Sequence, residues 1–216
     1  MYNLPYFKEN DPAVIREFMR RNPFVLLCGC DQDNRPVATQ IPVLIEDRED
    51  KLFLIGHVQR KTDHQLAFAK NQNVLAIFTG PHTYVSASWY NDPQTASTWN
   101  YMAVHAAGIL RFLDDIALLE TLKRTTAHFE NNKHSPALVE HMSQDYVQKM
   151  MKGIISFEIE VSRLENVFKL SQNRDEKTYD HIVDRLQQGD DDSAQVAAEM
   201  KGRASQLFDG GGEKKV

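Results

Sequence analysis

The sequence predicts an α+β fold, a barrel of antiparallel strands with helices attached late in the chain. Three observations carry this. Short apolar or alternating stretches crowd residues 24–111, polar turns separate them, and the long helical patterns come mostly after residue 113. Regular alternation of strand with helix is missing. Neither Gly-x-Gly-x-x-Gly nor Gly-x-x-x-x-Gly-Lys-Ser/Thr occurs, which disfavours a doubly wound nucleotide fold.

The elements follow in order. Asp11-Pro12 reads as an acidic cap with proline at the first helical position. Val14, Ile15, Phe18 and Met19 then recur at helical spacing until Asn22-Pro23. Residues 24–30 are nearly all apolar, as expected of a strand buried on both faces. After a polar turn at 31–35, Val37, Thr39, Ile41, Val43 and Ile45 alternate as one half-buried strand. Pro42 inside it marks a bulge or an edge, since proline cannot donate to a ladder. With residues 52–55 this predicts a meander of three strands. Thr62 is the expected cap of a short helix to about Lys70.

Residues 74–78 read as a strand that 82–86 continue or pair with across Gly80-Pro81. Residues 87–98 are loop-like, with turn chemistry at Asn91-Asp92-Pro93. Residues 101–111 read as a strand. Asp114 is expected to cap a long helix to Glu130 that buries Ile116, Leu118, Leu119 and Leu122. Pro136 lies in a loop before a second helix near 144–151. Residues 154–161 alternate cleanly, and Asp175 caps a helix to about Gln188, with another across 193–208. The expected organisation is one domain over residues 1–174, a helical extension over 175–209 and a disordered tail over 210–216.

Composition excludes several function classes. A chain of 216 residues, 42% hydrophobic and 25% charged, buries about 70% of its unfolded surface and needs no disulfide or metal to fold. Its apolar runs are too short to span a bilayer, and Met1 to Pro5 show no signal-peptide pattern, so the cytoplasm is the expected compartment. Net charge is −5, and duplex binding rests on neutralising phosphates, so DNA is a partner the charge does not support. Both cysteines sit in Cys28-Gly29-Cys30, about 6.6 Å apart on one strand face, at the limit of disulfide reach. A reduced, buried pair of small apolar side chains is expected. The eight histidines match no zinc spacing, and no metal is expected.

Two clusters carry chemistry. Both tryptophans, Trp89 and Trp99, lie within eleven residues, beside Ser86, Ser88, Thr98, Asn100 and Tyr101. Aromatic planes flanked by small donors suit a flat heteroaromatic ligand; the same tryptophans could equally plug a barrel end. Arg60, Lys61 and Thr62 stand at a strand end leading into a helix start, where amides and cations favour a phosphate. Without a ligand, such an Arg-Lys pair is ordinary surface charge.

Three stretches, in order, resemble the PaiB-like family of FMN-binding negative transcriptional regulators. They are the run from Phe78 to Tyr90 (Phe-Thr-Gly-Pro-His-Thr-Tyr-Val-Ser-Ala-Ser-Trp-Tyr), Thr98-Trp99-Asn100-Tyr101 with Val104-His105, and Lys169-Leu170-Ser171-Gln172-Asn173-Arg174. The similarity runs from Tyr2 and Phe7 to about Leu186. It implies an FMN-binding split β-barrel of the pyridoxamine-phosphate-oxidase type, with FMN at the interface of a homodimer.

A flavin needs an apolar face, donors at its ring edge and cations at its phosphate: Trp89, Trp99 and Tyr101 could supply the first, Ser86, Ser88, Thr98 and Asn100 the second, and Arg60 and Lys61, beside Thr62, the third. Arg174 is a further candidate. Catalytic residues are not assigned. Where relatives read Gly-His-x-Ala-Arg-Ala-Asn-Pro, this chain reads Gly56-His57-Val58-Gln59-Arg60-Lys61-Thr62-Asp63. The expected role is a flavin-binding regulator. A small FMN-dependent oxidoreductase, or a member that keeps the fold without cofactor, are the alternatives.

Overall fold

The computed structural model describes residues 1–92 and 94–208. The expected tail at 210–216, the last residue of the expected extension at 209, and Pro93 of the expected turn lie outside them. Two compact units are assembled from separated segments: residues 1–15, 79–104 and 166 onward form one, and residues 16–78 and 105–165 the other.

The second unit holds most of the sheet. Strands β1 (Phe24–Cys30) and β2 (Pro36–Pro42) form a hairpin, in register from Phe24 opposite Pro42 to Cys30 opposite Pro36. Its turn is tied by Asp31, whose Oδ1 accepts from the amides of Asp33 and Arg35 at 2.8 and 2.9 Å. Strands β3 (Leu44–Arg48) and β4 (Lys51–Gln59) form a second hairpin. Long strands β5 (Asn73–Val85), β6 (Thr98–Phe112) and β7 (Ile154–Lys169) complete a sheet of order β2-β1-β5-β6-β7-β4-β3. Gly108 of β6 allows a close approach: a Cβ there would stand 2.3 Å from the Glu160 carbonyl oxygen.

Several expectations change. The three-stranded meander is two hairpins, and β2 and β3 stand at opposite ends of the sheet order. Pro42 has no N–H to give, and the Val43 amide turns to the Pro23 carbonyl at 2.9 Å instead of a ladder. Strand β1 is buried on one face only: Val25 and Leu27 are fully buried, whereas Phe24 is 65% and Leu26 37% exposed. Strand β4 runs on through Gly56 and His57 to Gln59, and β5 is a single strand across Gly80-Pro81.

Helix α1 (Pro12–Arg21) buries Phe18 and Met19, as its spacing required. Helix α2 (Asp63–Lys70) is capped by Thr62, and α3 (Asp115–Glu130) by Asp114. Ile116 of α3 is 83% exposed, not buried. At about 100° per residue it lies roughly 200° around the helix from buried Leu118. Helix α4 (Gln144–Met151) has Ser143 as its cap.

In the first unit, α5 (Glu176–Leu186) and α6 (Asp191–Phe208) pack together. Tyr179, Ile182, Val196, Ala197 and Met200 are fully buried. Burial of such side chains contributes about 1.5–3 kcal/mol each for the larger apolar ones. Glu9 Oε1 accepts from the Asn10 and Asp11 amides at 2.9 Å, and its Oε2 from Arg203 at 2.7 Å.

Burial by itself would raise the Glu9 carboxyl, but those amides and the Arg203 charge outweigh it and hold it below its usual range. A depressed acid stabilises the fold above its unfolded value, and that contribution is lost as pH falls through the folded one. Glu9→Gln is therefore expected to lower the melting temperature at neutral pH. The gap should close as pH drops below about 4. A gap unchanged between neutral and acid solution would refute this.

Candidate functional site

The expected site residues fall in both units. In the first unit, β5 ends by alternation: Thr83 and Val85 are buried, and His82 and Tyr84 face solvent. Thr83 is held by Ser193, with the hydroxyls 2.8 Å apart. Ser86 then caps a one-turn 3-10 helix at Ala87–Trp89, accepting from the Ser88 amide at 3.2 Å, with the two hydroxyls 2.8 Å apart. Ser97 Oγ accepts from the Ala87 amide at 3.0 Å. Trp89 is half-buried, and its carbonyl accepts from His181 at 2.9 Å.

The alternation of β6 sorts the second part of this cluster. Trp99 is 53% exposed; its ring meets those of Tyr84 and His82 with centroids 5.9 and 6.2 Å apart. Asn100 points inward and is fully buried. Its Nδ2 donates to Met200 Sδ at 3.5 Å, and its Oδ1 accepts from Ser171 at 3.1 Å. That commits Asn100 to packing within the unit. Tyr101 is half-buried, and burial, with Tyr2 nearby, raises its phenol.

The segment from Lys169 to Arg174 is a braced turn. Ser171 takes a left-handed backbone (φ 63°), the Gln172 side chain accepts from the Leu170 amide at 2.7 Å and donates to the Phe168 carbonyl. Arg174 lays its guanidinium 4.1 Å from the centroid of Tyr90. Lys169 donates to Thr98 Oγ1 at 2.5 Å and to the Trp99 carbonyl at 2.6 Å. In sequence Lys169 is one member of the Lys169–Arg174 motif, with no sign of its partners. The 71 residues separating it from Thr98 hid the contact.

The remaining three candidates lie in the second unit. Arg60 donates to the Ile154 carbonyl at 2.7 Å and to Asp115 at 3.1 Å. Lys61 is exposed, with a left-handed backbone (φ 66°) and its amide on the Gln65 side chain at 2.8 Å. Thr62 Oγ1 donates to the Gln59 carbonyl at 3.0 Å and accepts from the Gln65 amide. The Gln65 amide is thus used by Thr62, and the His64 amide by the Asp63 carboxylate. An open cleft of about 570 Å³ beside Arg60 is lined by Asp115, Gln148, Met151 and Lys152. Gln148 carries no local signal in sequence.

The arrangement in the first unit fits a flavin. It offers a solvent-facing indole with aromatic neighbours, hydroxyls at Ser86, Ser88 and Thr98, and two cations, Lys169 and Arg174. Neither cation is paired with a carboxylate among the described residues.

Comparison with known proteins agrees. The family described as "Putative FMN-binding domain" matches residues 1–163. The chain is 32% identical over 200 residues to the protease synthase and sporulation protein PAI 2 of Bacillus subtilis, covering 93% of this chain and 96% of that protein. Among solved structures it resembles a conserved hypothetical protein of Mycobacterium tuberculosis (TM-score 0.56, 12% identity, 78% of this chain and 91% of that one). It also resembles the FAD and heme binding protein of Mycobacterium smegmatis (TM-score 0.54, 14% identity, 74% and 72%). These likenesses bear out the split-barrel α+β fold.

Proposed function

The chain belongs to the PaiB-like family of FMN-binding proteins, and from that premise we propose that it is a flavin-loaded regulator that works as a homodimer and lowers transcription. The observation that carries the flavin reading is the exposed Trp99, whose indole meets the rings of His82 and Tyr84 and whose carbonyl accepts from Lys169; neither Lys169 nor the nearby Arg174 is neutralised by a carboxylate among the described residues. A flat, electron-poor ring with a polar edge matches both features. No helix among the described residues is long and apolar enough to cross a membrane.

Regulation through another molecule, not through direct grip on a duplex, fits the net charge of −5. Two of the arginines on α1, Arg16 and Arg20, are spent on Asp47 at 2.5 and 3.1 Å. Titration with FMN, followed by flavin absorbance and fluorescence, tests the cofactor; stoichiometric binding per subunit is expected, and no binding refutes the reading. A gel shift at low salt is expected to show no duplex retention with or without FMN. Rapid reduction of the bound flavin by NADH or NADPH would favour an oxidoreductase instead.

The apolar face of β1 supports the homodimer. Phe24 and Leu26 project from it, and Leu26 and Cys28 stand opposite Ile77 and Leu75 of β5, all on one side of the sheet. Leaving such a face in water is unfavourable, and a two-fold copy covers it with itself. The double variant Phe24→Lys, Leu26→Lys is expected to sediment as a monomer at micromolar concentration, where the parent sediments as a dimer. A variant that stays dimeric would move the interface elsewhere.

A further inference from the structure

Lys169 is an expensive residue where it stands. The residue is half-buried, yet no carboxylate among the described residues pairs with its ammonium. Its neighbours are Thr98 Oγ1, the Trp99 carbonyl and, at 5.6 Å, the Phe7 ring. Of the other half-buried cations of this unit, Arg203 is neutralised by Glu9 at 2.7 Å, Arg174 lies over the Tyr90 ring, and Lys8 donates to the Asn166 carbonyl at 2.9 Å. Burial, with Arg174 adding like-charge repulsion, holds the Lys169 ammonium below its usual range. A charge kept at such cost, without a counter-ion, is an arrangement characteristic of functional sites.

Its geometry narrows the partner. Two of the three ammonium N–H groups are used on Thr98 and Trp99, so one remains, next to the strand that carries the exposed indole. A phosphate dianion calls for several converging donors. One donor with a full charge suits a single acceptor on a ring edge that becomes negative. We propose that Lys169 is a cofactor-contacting residue: its free N–H and its charge meet the polar edge of the flavin ring and favour the reduced, anionic form over the oxidised one. This rests on the flavin reading above, and it adds a residue outside the eleven expected from sequence. Arg174, close enough to influence Lys169, reinforces the same positive potential.

The test uses the full chain and three variants: Lys169→Met, Lys169→Gln, which keeps donors for Thr98 and Trp99 while removing the charge, and Lys169→Arg. Affinities for FMN and riboflavin come from fluorescence quenching, and the midpoint potential from dithionite titration against a reference dye. Loss of charge is expected to weaken binding of reduced relative to oxidised FMN about tenfold, which lowers the two-electron potential by about 30 mV. Lys169→Arg should restore most of it, and FMN and riboflavin should lose affinity together. An unchanged potential in flavin-loaded Lys169→Gln overturns the proposal. So does a loss confined to FMN, which would place Lys169 at the phosphate. Failure of the parent chain to bind either flavin overturns the flavin reading itself, and is distinguished by being measured before any variant.

Discussion

Replacing Trp99 with alanine is expected to weaken FMN binding on the order of ten- to a hundredfold while leaving the melting temperature nearly unchanged. The indole is 53% exposed and its ring contacts are His82 and Tyr84, so little core burial is lost with it. Its backbone carbonyl, which accepts from Lys169, is unaffected by truncation of the side chain. What disappears is a stacking plane, and stacking of a flat heterocycle on an aromatic side chain contributes roughly 1–3 kcal/mol. At about 1.4 kcal/mol per decade, that gives the stated range. Fluorescence titration with FMN, alongside thermal unfolding of the apoprotein, measures both. A variant with parental affinity would show that Trp99 is no part of the ring site. One that melts far lower would show that the indole is packing after all.

The largest effect on stability is expected at Tyr179, buried completely between α5 and α6. Its ring packs edge-on to Phe208 with centroids 5.2 Å apart, and its hydroxyl donates to the Met200 carbonyl at 2.9 Å. Burial also pushes its phenol upward, so the hydroxyl remains a donor throughout the working pH range. Tyr179→Ala removes a large aromatic from a close-packed site and is expected to cost about 3–5 kcal/mol. For a chain of this size that is a fall of roughly 10 °C in melting temperature. Tyr179→Phe keeps the volume and should cost only about 1 kcal/mol, the net contribution of one hydrogen bond.

The consequence reaches the site. Asp175 and Thr178, at the start of α5, hold Asn91 at 3.0 and 3.3 Å, and His181 holds the Trp89 carbonyl. Loosening α5 therefore frees the segment that presents Ser86 and Ser88. Tyr179→Ala is expected to bind FMN more weakly even below its melting point. Parental melting and affinity together in that variant would refute this account of α5.

How far the site was legible depended on how local its evidence was. The aromatic and hydroxyl cluster was visible because Trp89 and Trp99 sit close together in sequence. Strand alternation then put Trp99 outward and Asn100 inward, which no composition argument distinguishes. Arg60 stood out at a strand end before a helix cap, but its ties to Asp115 and Ile154 depend on segments 55 and 94 residues away. Lys169 shows the same limit from the other side: it stands within a local motif, but its partners Thr98 and Trp99 lie about 70 residues away.

By itself the sequence determined the secondary-structure content, the capped helix starts at Thr62, Asp114 and Asp175, the mixed α+β class and the family. Caps, turns and periodicity are properties of neighbouring residues, and their energies are decided within a few turns or strand pairs. Only the tertiary structure decided that β2 and β3 part at Pro42, that β1 leaves Phe24 and Leu26 uncovered, that Ile116 faces solvent, and that an ammonium from β7 reaches Thr98. Those outcomes turn on which distant segments cover which faces and which charges lose their water, and no short window of sequence contains both partners.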